Sequence, residues 1–238
     1  MTTPRRKKPE PPQPSSPAYR AVLFDLDNTL GDRPAAVRRW AEKLYFSQPG
    51  LMAKVEREEA VRQIIEWDAG GHVFAPQLFE RMVSEWPFVR EGVDELVEWH
   101  RREYPAAFRP DPQVSRLLSR VTRAGLPWGI VTNGPPFQRD KVVALGLEKM
   151  AQCVVISLEF GAGKPGPAIF LEGLRLLGED DPSKALFVGD SPAADIEGAH
   201  SAGMATAWLS HGRRWPEKLA PPTHTLARFT ELSGVLGL

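Results

Sequence analysis

The chain has 238 residues, enough for one large domain or a domain with a smaller one inserted. Lys+Arg and Asp+Glu both number 30, so the net charge is zero, which argues against whole-surface attraction to nucleic acid or to an anionic membrane. The single cysteine, Cys153, excludes an internal disulfide and a cysteine-based zinc site, and no apolar run approaches the length of a membrane span. Residues 1–18 are rich in Pro and carry the basic cluster Arg5-Arg6-Lys7-Lys8. They read as a disordered tail with little to bury. Pro and polar residues, and no apolar segment, follow the basic cluster, so it is not an export signal, and the expected compartment is the cytoplasm.

The ordered chain starts at about Tyr19. Arg20–Leu30 opens as an apolar run and ends in Asp25-Leu26-Asp27-Asn28-Thr29, a buried strand followed by two carboxylates and turn-forming residues. Taken alone, the two aspartates read as turn and cap residues or as ligands of a divalent cation. Residues 34–107 then read as helix after helix: Ala35–Phe46, Ala53–Trp67, Ala75–Trp86 and Gly92–Tyr104, each with apolar residues three and four apart. Four of the seven tryptophans, Trp40, Trp67, Trp86 and Trp99, lie here, enough for a small core of its own. None of the five histidines, His72 included, pairs with a second at metal-ligand spacing.

From Phe108 onward strands and helices alternate. Helices are expected over Pro112–Arg123, Pro136–Leu145, Pro167–Leu177 and Pro192–Ala202. Strands are expected over Pro127–Thr132, Cys153–Ile156, Ala185–Gly189 and Met204–Leu209, with a last short strand near Thr225 and a terminal helix from about Phe229. This alternation predicts an α/β fold, a Rossmann-like doubly wound parallel sheet formed by 19–33 and 108–238, with 34–107 as an inserted all-α cap. Ligands of such sheets bind outside the carboxyl ends of the strands. Thr132-Asn133, Lys164, Asp190 and Asp195 all fall near such ends. Each has a bland alternative as turn, solvated loop or helix cap. Together they form one cleft that suits a phosphoryl group: oxygen ligands for Mg²⁺, a lysine, hydroxyl and amide donors, and a carboxylate able to attack phosphorus.

Asp25-x-Asp27-x-Thr29, Thr132-Asn133, Lys164-Pro165 and Gly189-Asp190-Ser191-Pro192-Ala193-Ala194-Asp195 resemble, in order, the four motifs of the haloacid dehalogenase-like hydrolase superfamily. The helical insertion after the first motif resembles the cap of its phosphoglycolate phosphatase-like branch. The resemblance implies that Asp25 is the nucleophile and a metal ligand. It implies that Asp27 is the general acid–base, lending only its backbone carbonyl to Mg²⁺. It implies further that Thr132 and the backbone near Asn133 bind phosphate, that Lys164 neutralises charge, that Asp190 ligates the metal, and that Asp195 acts through water or by orienting Lys164. The third motif departs from the family, with Gly166 where an acidic residue is common, which removes a possible helix cap. An aspartate at position 27 is absent from the dehalogenases, so the expected activity is Mg²⁺-dependent hydrolysis of a small phosphomonoester through an aspartyl phosphate. A phosphosugar mutase shares the motifs and is the alternative. A phosphoacceptor signalling domain is disfavoured, because its aspartate ends the third strand and it carries no cap, and an idle binding protein is disfavoured because no motif position is missing. Selectivity is expected from the cap, from Gly70–Phe74 and from Arg38 or Arg39. No nucleic acid or membrane partner is expected.

Overall fold

The computed structural model describes residues 19–238; the expectation of a disordered tail over residues 1–18 lies outside them. Strand β1 (Ala21–Phe24) is followed by helices α1 (Arg33–Ser47), α2 (Pro49–Met52), α3 (Arg57–Asp68), α4 (Ala75–Glu85), α5 (Val93–Glu103) and α6 (Pro112–Arg123). Then come β2 (Trp128–Thr132), α7 (Gln138–Ala144), β3 (Val154–Ile156), α8 (Ser157–Phe160), α9 (Pro167–Leu177) and β4 (Ala185–Gly189). A π-helical turn, Pro192–Glu197, leads into α10 (Gly198–Ser201), followed by β5 (Ala205–Leu209), β6 (His224–Leu226) and α11 (Leu232–Leu236).

The six strands form one sheet in the order β3-β2-β1-β4-β5-β6, parallel at every pairing. The chain leaves β1 toward β2 and β3, then crosses back to β4 on β1's other side, so the sheet is doubly wound with its switch point between β1 and β4. The central strands are buried along their whole length, which explains why β1, β2 and β4 read as unbroken apolar runs and not as alternations. Successive side chains still go to opposite faces. Val22, Phe24, Trp128, Ile130, Leu186 and Val188 join one core; Ala21, Leu23, Val131 and Phe187 join another with Ile169 and Phe170 of α9.

Helix starts follow local chemistry. The Asp32 carboxylate caps α1 by accepting from Ala35 N, and the Asp111 carboxylate caps α6 by accepting from Gln113 N. Gly166 stands at the start of α9 without a side-chain cap bond, as its missing side chain requires. Gly146 follows α7 with φ +71°, a left-handed ending that glycine adopts without a Cβ penalty.

Two readings of the helical segment change. The helix expected over Ala53–Trp67 begins only at Arg57, as α3, and the short α2 ends before Ala53. Glu56 is extended and its carboxylate accepts from Glu58 N, which starts α3 afresh. The tryptophan-rich core is also not separate. Trp40, Phe79, Ile64 and Leu96 belong to the same apolar cluster as Phe24 and Ile130 of the sheet, with Leu30, Tyr104 and Phe108 among its members at the junction. Among the described residues no helix is long and apolar enough to cross a membrane.

Candidate active site at the sheet's switch point

Asp25 is the first residue past β1, and its amide donates to the carbonyl of Val188 at 2.9 Å, so the neighbouring strand fixes where its side chain emerges. It is only 6% exposed. Lys164 Nζ donates to Asp25 Oδ1 at 2.6 Å and to Asp195 Oδ1 at 2.6 Å. The hydroxyl of Thr29 donates to Asp25 Oδ2 at 3.3 Å. Burial pushes the Asp25 carboxyl up to about 7; Asp195 and Asp190 add to the rise, and Lys164 opposes it. Asp195 and Asp25 hold Lys164 protonated against the effect of its burial.

Asp195 enters from the π-helical turn, where the amide of Ile196 reaches back five residues to the carbonyl of Ser191. Its second oxygen accepts from Ser191 N at 2.8 Å. Gly189, the last residue of β4, makes room for it, because a Cβ there would collide with the Asp195 carboxylate. Asp190 follows immediately. Arg213 Nη2 donates to its backbone carbonyl at 2.7 Å and to Oδ2 at 3.1 Å. Burial, with Asp195 beside it, raises the Asp190 pKa.

Oxygens of Asp25, Asp190 and Asp195 lie within 4.8 Å of one another. This all-carboxylate set of hard donors suits Mg²⁺; burial first, and then the mutual repulsion of the carboxylates, raises the pKa of Asp25 and Asp190. Both oxygens of Asp195 are bound to Lys164 and to the Ser191 amide, so Asp195 is better placed to orient the lysine than to hold a metal directly.

Thr132 ends β2 and is buried. Its hydroxyl oxygen accepts from Gln138 Nε2 at 2.8 Å. The Asn133 side chain is not turned over to a ligand. It donates to the Lys164 carbonyl at 2.9 Å and accepts from the Lys164 amide at 2.8 Å, clamping the loop that carries the lysine. Sequence reasoning assigned the backbone near Asn133 to phosphate and did not foresee this side-chain clamp.

Asp27 has partners that the motif reading missed. Lys141 Nζ lies 2.9 and 2.7 Å from its two oxygens, and Gln138 Nε2 donates to Oδ2 at 3.1 Å. Burial alone would raise the Asp27 pKa, but Lys141 and Gln138 outweigh it and hold the carboxylate below its usual range. Lys141 sits over the rings of Tyr104 and Phe108, at 4.9 and 4.8 Å. The available signal was a polar pair three residues apart on the helix after the Thr132-Asn133-Gly134 turn, facing inward among apolar neighbours. Arg38 and Arg39 do not line the cleft: Arg38 pairs with Glu58 and Glu42 in solvent, and Arg39 donates to the Ala107 carbonyl. Gly71, Val73 and Phe74, from the loop expected to matter, do line it.

These features define a class: a Rossmann-like α/β protein with an acidic, lysine-bridged centre at the switch point, beside a cleft between sheet edge and helices whose wall includes Asp27 and Asn133. A family model for haloacid dehalogenase-like hydrolases matches residues 19–203. The chain is 32% identical over 237 residues to a phosphoserine phosphatase of Thermus thermophilus, covering 87% of each sequence. It is 32% identical over 200 residues to a glyceraldehyde 3-phosphate phosphatase of Methanopyrus kandleri, covering 82% of this chain and 85% of that one. Among solved structures it resembles a HAD phosphatase from Thermococcus onnurineus, with TM-score 0.65 and 26% identity over 92% of this chain and 98% of that chain. The chain belongs to the haloacid dehalogenase-like hydrolase family.

Proposed function

We propose that the chain is a Mg²⁺-dependent phosphomonoesterase of small phosphorylated metabolites that works through an aspartyl phosphate at Asp25. The observation that carries this reading is the placement of Asp25 and Asp27: one carboxylate bridged to Lys164 at the strand end, the other two residues on in the wall of the cleft. The names of the phosphatases that the chain resembles support it. In this reading 19–33 and 108–238 form the catalytic core, and 34–107 form a cap that supplies the far wall of the cleft.

With Asp27 protonated against the pull of Lys141, an Asp25 oxygen attacks phosphorus and the bond to the leaving oxygen breaks, giving the acyl phosphate and an alkoxide that takes that proton from Asp27. Water then attacks the same phosphorus, Asp27 takes its proton, the acyl–phosphate bond breaks, and phosphate leaves with the Asp25 carboxylate restored. Lys164 neutralises charge on Asp25 and on the transferring group. The Thr132 hydroxyl accepts from Gln138 and donates only over 3.4 Å to the Asn133 carbonyl, a long contact that a phosphate oxygen would replace. Mg²⁺ would be held by the Asp25 and Asp190 side chains and the Asp27 carbonyl, and would offset the charge of carboxylates and phosphate together.

Hydrolysis of p-nitrophenyl phosphate by the purified chain tests the reading. Turnover is expected with Mg²⁺, is lost with EDTA, and is lost in Asp25→Asn. Absence of Mg²⁺-dependent release of p-nitrophenol by the wild-type chain would overturn it.

A further inference from the structure

The four motifs end at Asp195, yet the turn after β5 reaches back to the acidic centre at two points. His211 Nε2 donates at 2.7 Å to the carbonyl of Asn28, the residue after Asp27, and both residues have positive φ, +49° and +63°. Non-glycine residues hold that conformation only where their surroundings enforce it. Two residues on, Arg213 closes the turn, its amide donating to the Ser210 carbonyl at 3.0 Å. Its guanidinium folds back over the same turn. Nε donates to the Ser210 carbonyl at 2.9 Å, and the group lies 5.8 Å from the centre of the Trp208 ring.

From that anchored position Arg213 Nη2 meets Asp190 twice, at the backbone carbonyl (2.7 Å) and at Oδ2 (3.1 Å). The same carbonyl accepts from Trp208 Nε1 at 2.9 Å. Asp190 is thus held at main chain and side chain by β5 and the turn after it, and rotation of its carboxylate would break a charge-assisted bond. The neighbouring carboxylates are restrained likewise. Asp25 accepts from Lys164 and Thr29, and Asp195 from Lys164 and the Ser191 amide. A carboxylate with one oxygen engaged in this way has the other to offer a cation. That suits Mg²⁺, which demands near-ideal octahedral geometry, better than Ca²⁺, which takes more oxygens and accepts a carboxylate through both at once.

We propose that Arg213 is a positioning residue for the metal: it fixes Asp190 so that one oxygen, and not both, faces the cation, and so sets a preference for Mg²⁺ over Ca²⁺. The assignment rests on the Mg²⁺-dependent reading above, in which Asp190 holds the metal, and adds to it a residue outside the four motifs. Arg213 and Asp190 line a cavity of about 550 Å³ that shares no lining residue with the cleft of Asp27. The Arg213 side chain is 48% exposed there, so it can be replaced without opening a core.

The full chain is titrated calorimetrically with Mg²⁺ and with Ca²⁺, as wild type and as Arg213→Met, Arg213→Ala and Arg213→Lys. Wild type is expected to bind Mg²⁺ the more tightly. Loss of the group that hydrogen-bonds a metal ligand typically costs about 10–100-fold in affinity. Arg213→Met and Arg213→Ala are each expected to weaken Mg²⁺ about tenfold and Ca²⁺ roughly threefold or less, so the preference narrows. Arg213→Lys is expected to keep the wild-type preference, because a single nitrogen makes both contacts to Asp190. Urea midpoints read the arginine's part in the fold separately. A lowered midpoint with an unchanged ratio of the two affinities would make the role merely structural and overturn the assignment. Tighter Mg²⁺ binding in Arg213→Met also overturns it, since that is the effect of taking a positive charge away from the ligand. In either case Mg²⁺-dependent hydrolysis of p-nitrophenyl phosphate by the wild type leaves the phosphomonoesterase reading intact. A wild type that neither binds Mg²⁺ nor hydrolyses p-nitrophenyl phosphate with it overturns that reading and this assignment together.

Discussion

Asp27 concentrates the residue-scale consequences. A general acid–base group typically contributes about 10²–10⁴-fold to turnover. Asp27→Asn is therefore expected to lower kcat on p-nitrophenyl phosphate by about that factor while Mg²⁺ affinity, measured by calorimetry, changes little. Its ion pair with Lys141 is a separate matter of stability. Lys141 is nearly fully buried and the Asp27 side chain about four-fifths so. Removing one partner of such a pair leaves the other charge uncompensated, at a cost of about 3 kcal/mol. Lys141→Met is expected to lower the urea midpoint accordingly, and adding Asp27→Asn is expected to recover much of the loss. Additive losses in the double variant would show that the pair does not stabilise the fold. His100 gives a pH signature. Folded, its pKa is about 3, against 6.5 ordinarily. Between those values the unfolded chain binds a proton that the folded chain does not, so stability is full above about pH 6.5 and falls as pH drops, by roughly 1.4 kcal/mol per pH unit. Urea midpoints measured from pH 7 to 4 are expected to decline less steeply in His100→Phe. The residues were unequally legible. Asp25, Asp27, Asp190 and Asp195 announce themselves because chemistry-bearing residues recur at strand ends. Lys141 does not: its partner is 114 positions away, and a lysine on a helix reads by default as solvated.

At the scale of elements, the π-helical turn after β4 is what brings Asp195 onto Lys164. The sequence suggested an ordinary helix from Pro192 to Ala202, since periodicity cannot register one wider turn at a helix start. Gly189 makes that approach possible. Gly189→Ala is expected to displace the Asp195 carboxylate, to cut kcat on p-nitrophenyl phosphate at least tenfold, and to leave far-ultraviolet circular dichroism near wild type. Unchanged kcat would show that the close approach does not matter. The Asn133 clamp makes a second case. Its partners are the backbone atoms of Lys164, 31 positions on, so motif spacing could point to Asn133 but not to what its amide does. Strands and their order of use were legible because buried parallel strands are continuous apolar runs bounded by turn residues. The start of α3 at Arg57 was not, because Glu56 is an uncommon cap.

At the scale of the molecule, the helices between β1 and β2 share one apolar cluster with the sheet, through Leu30, Tyr104 and Phe108. Composition could show that the segment has enough tryptophan to pack; it could not show that the packing is continuous with the sheet, which depends on how α1 and α5 return to the strand edge. The cleft left between the two parts holds Asp27 on one side and the loop of Val73 and Phe74 on the other. Everything proposed of its chemistry depends on Asp25 being the atom donor to phosphorus. The most direct measurement quenches the chain in acid during Mg²⁺-dependent turnover of p-nitrophenyl phosphate and maps phosphate by mass spectrometry. The expected result is one phosphoryl group on the peptide carrying Asp25, absent in Asp25→Asn. Phosphate on another residue, or undiminished turnover in Asp25→Asn, would contradict the account.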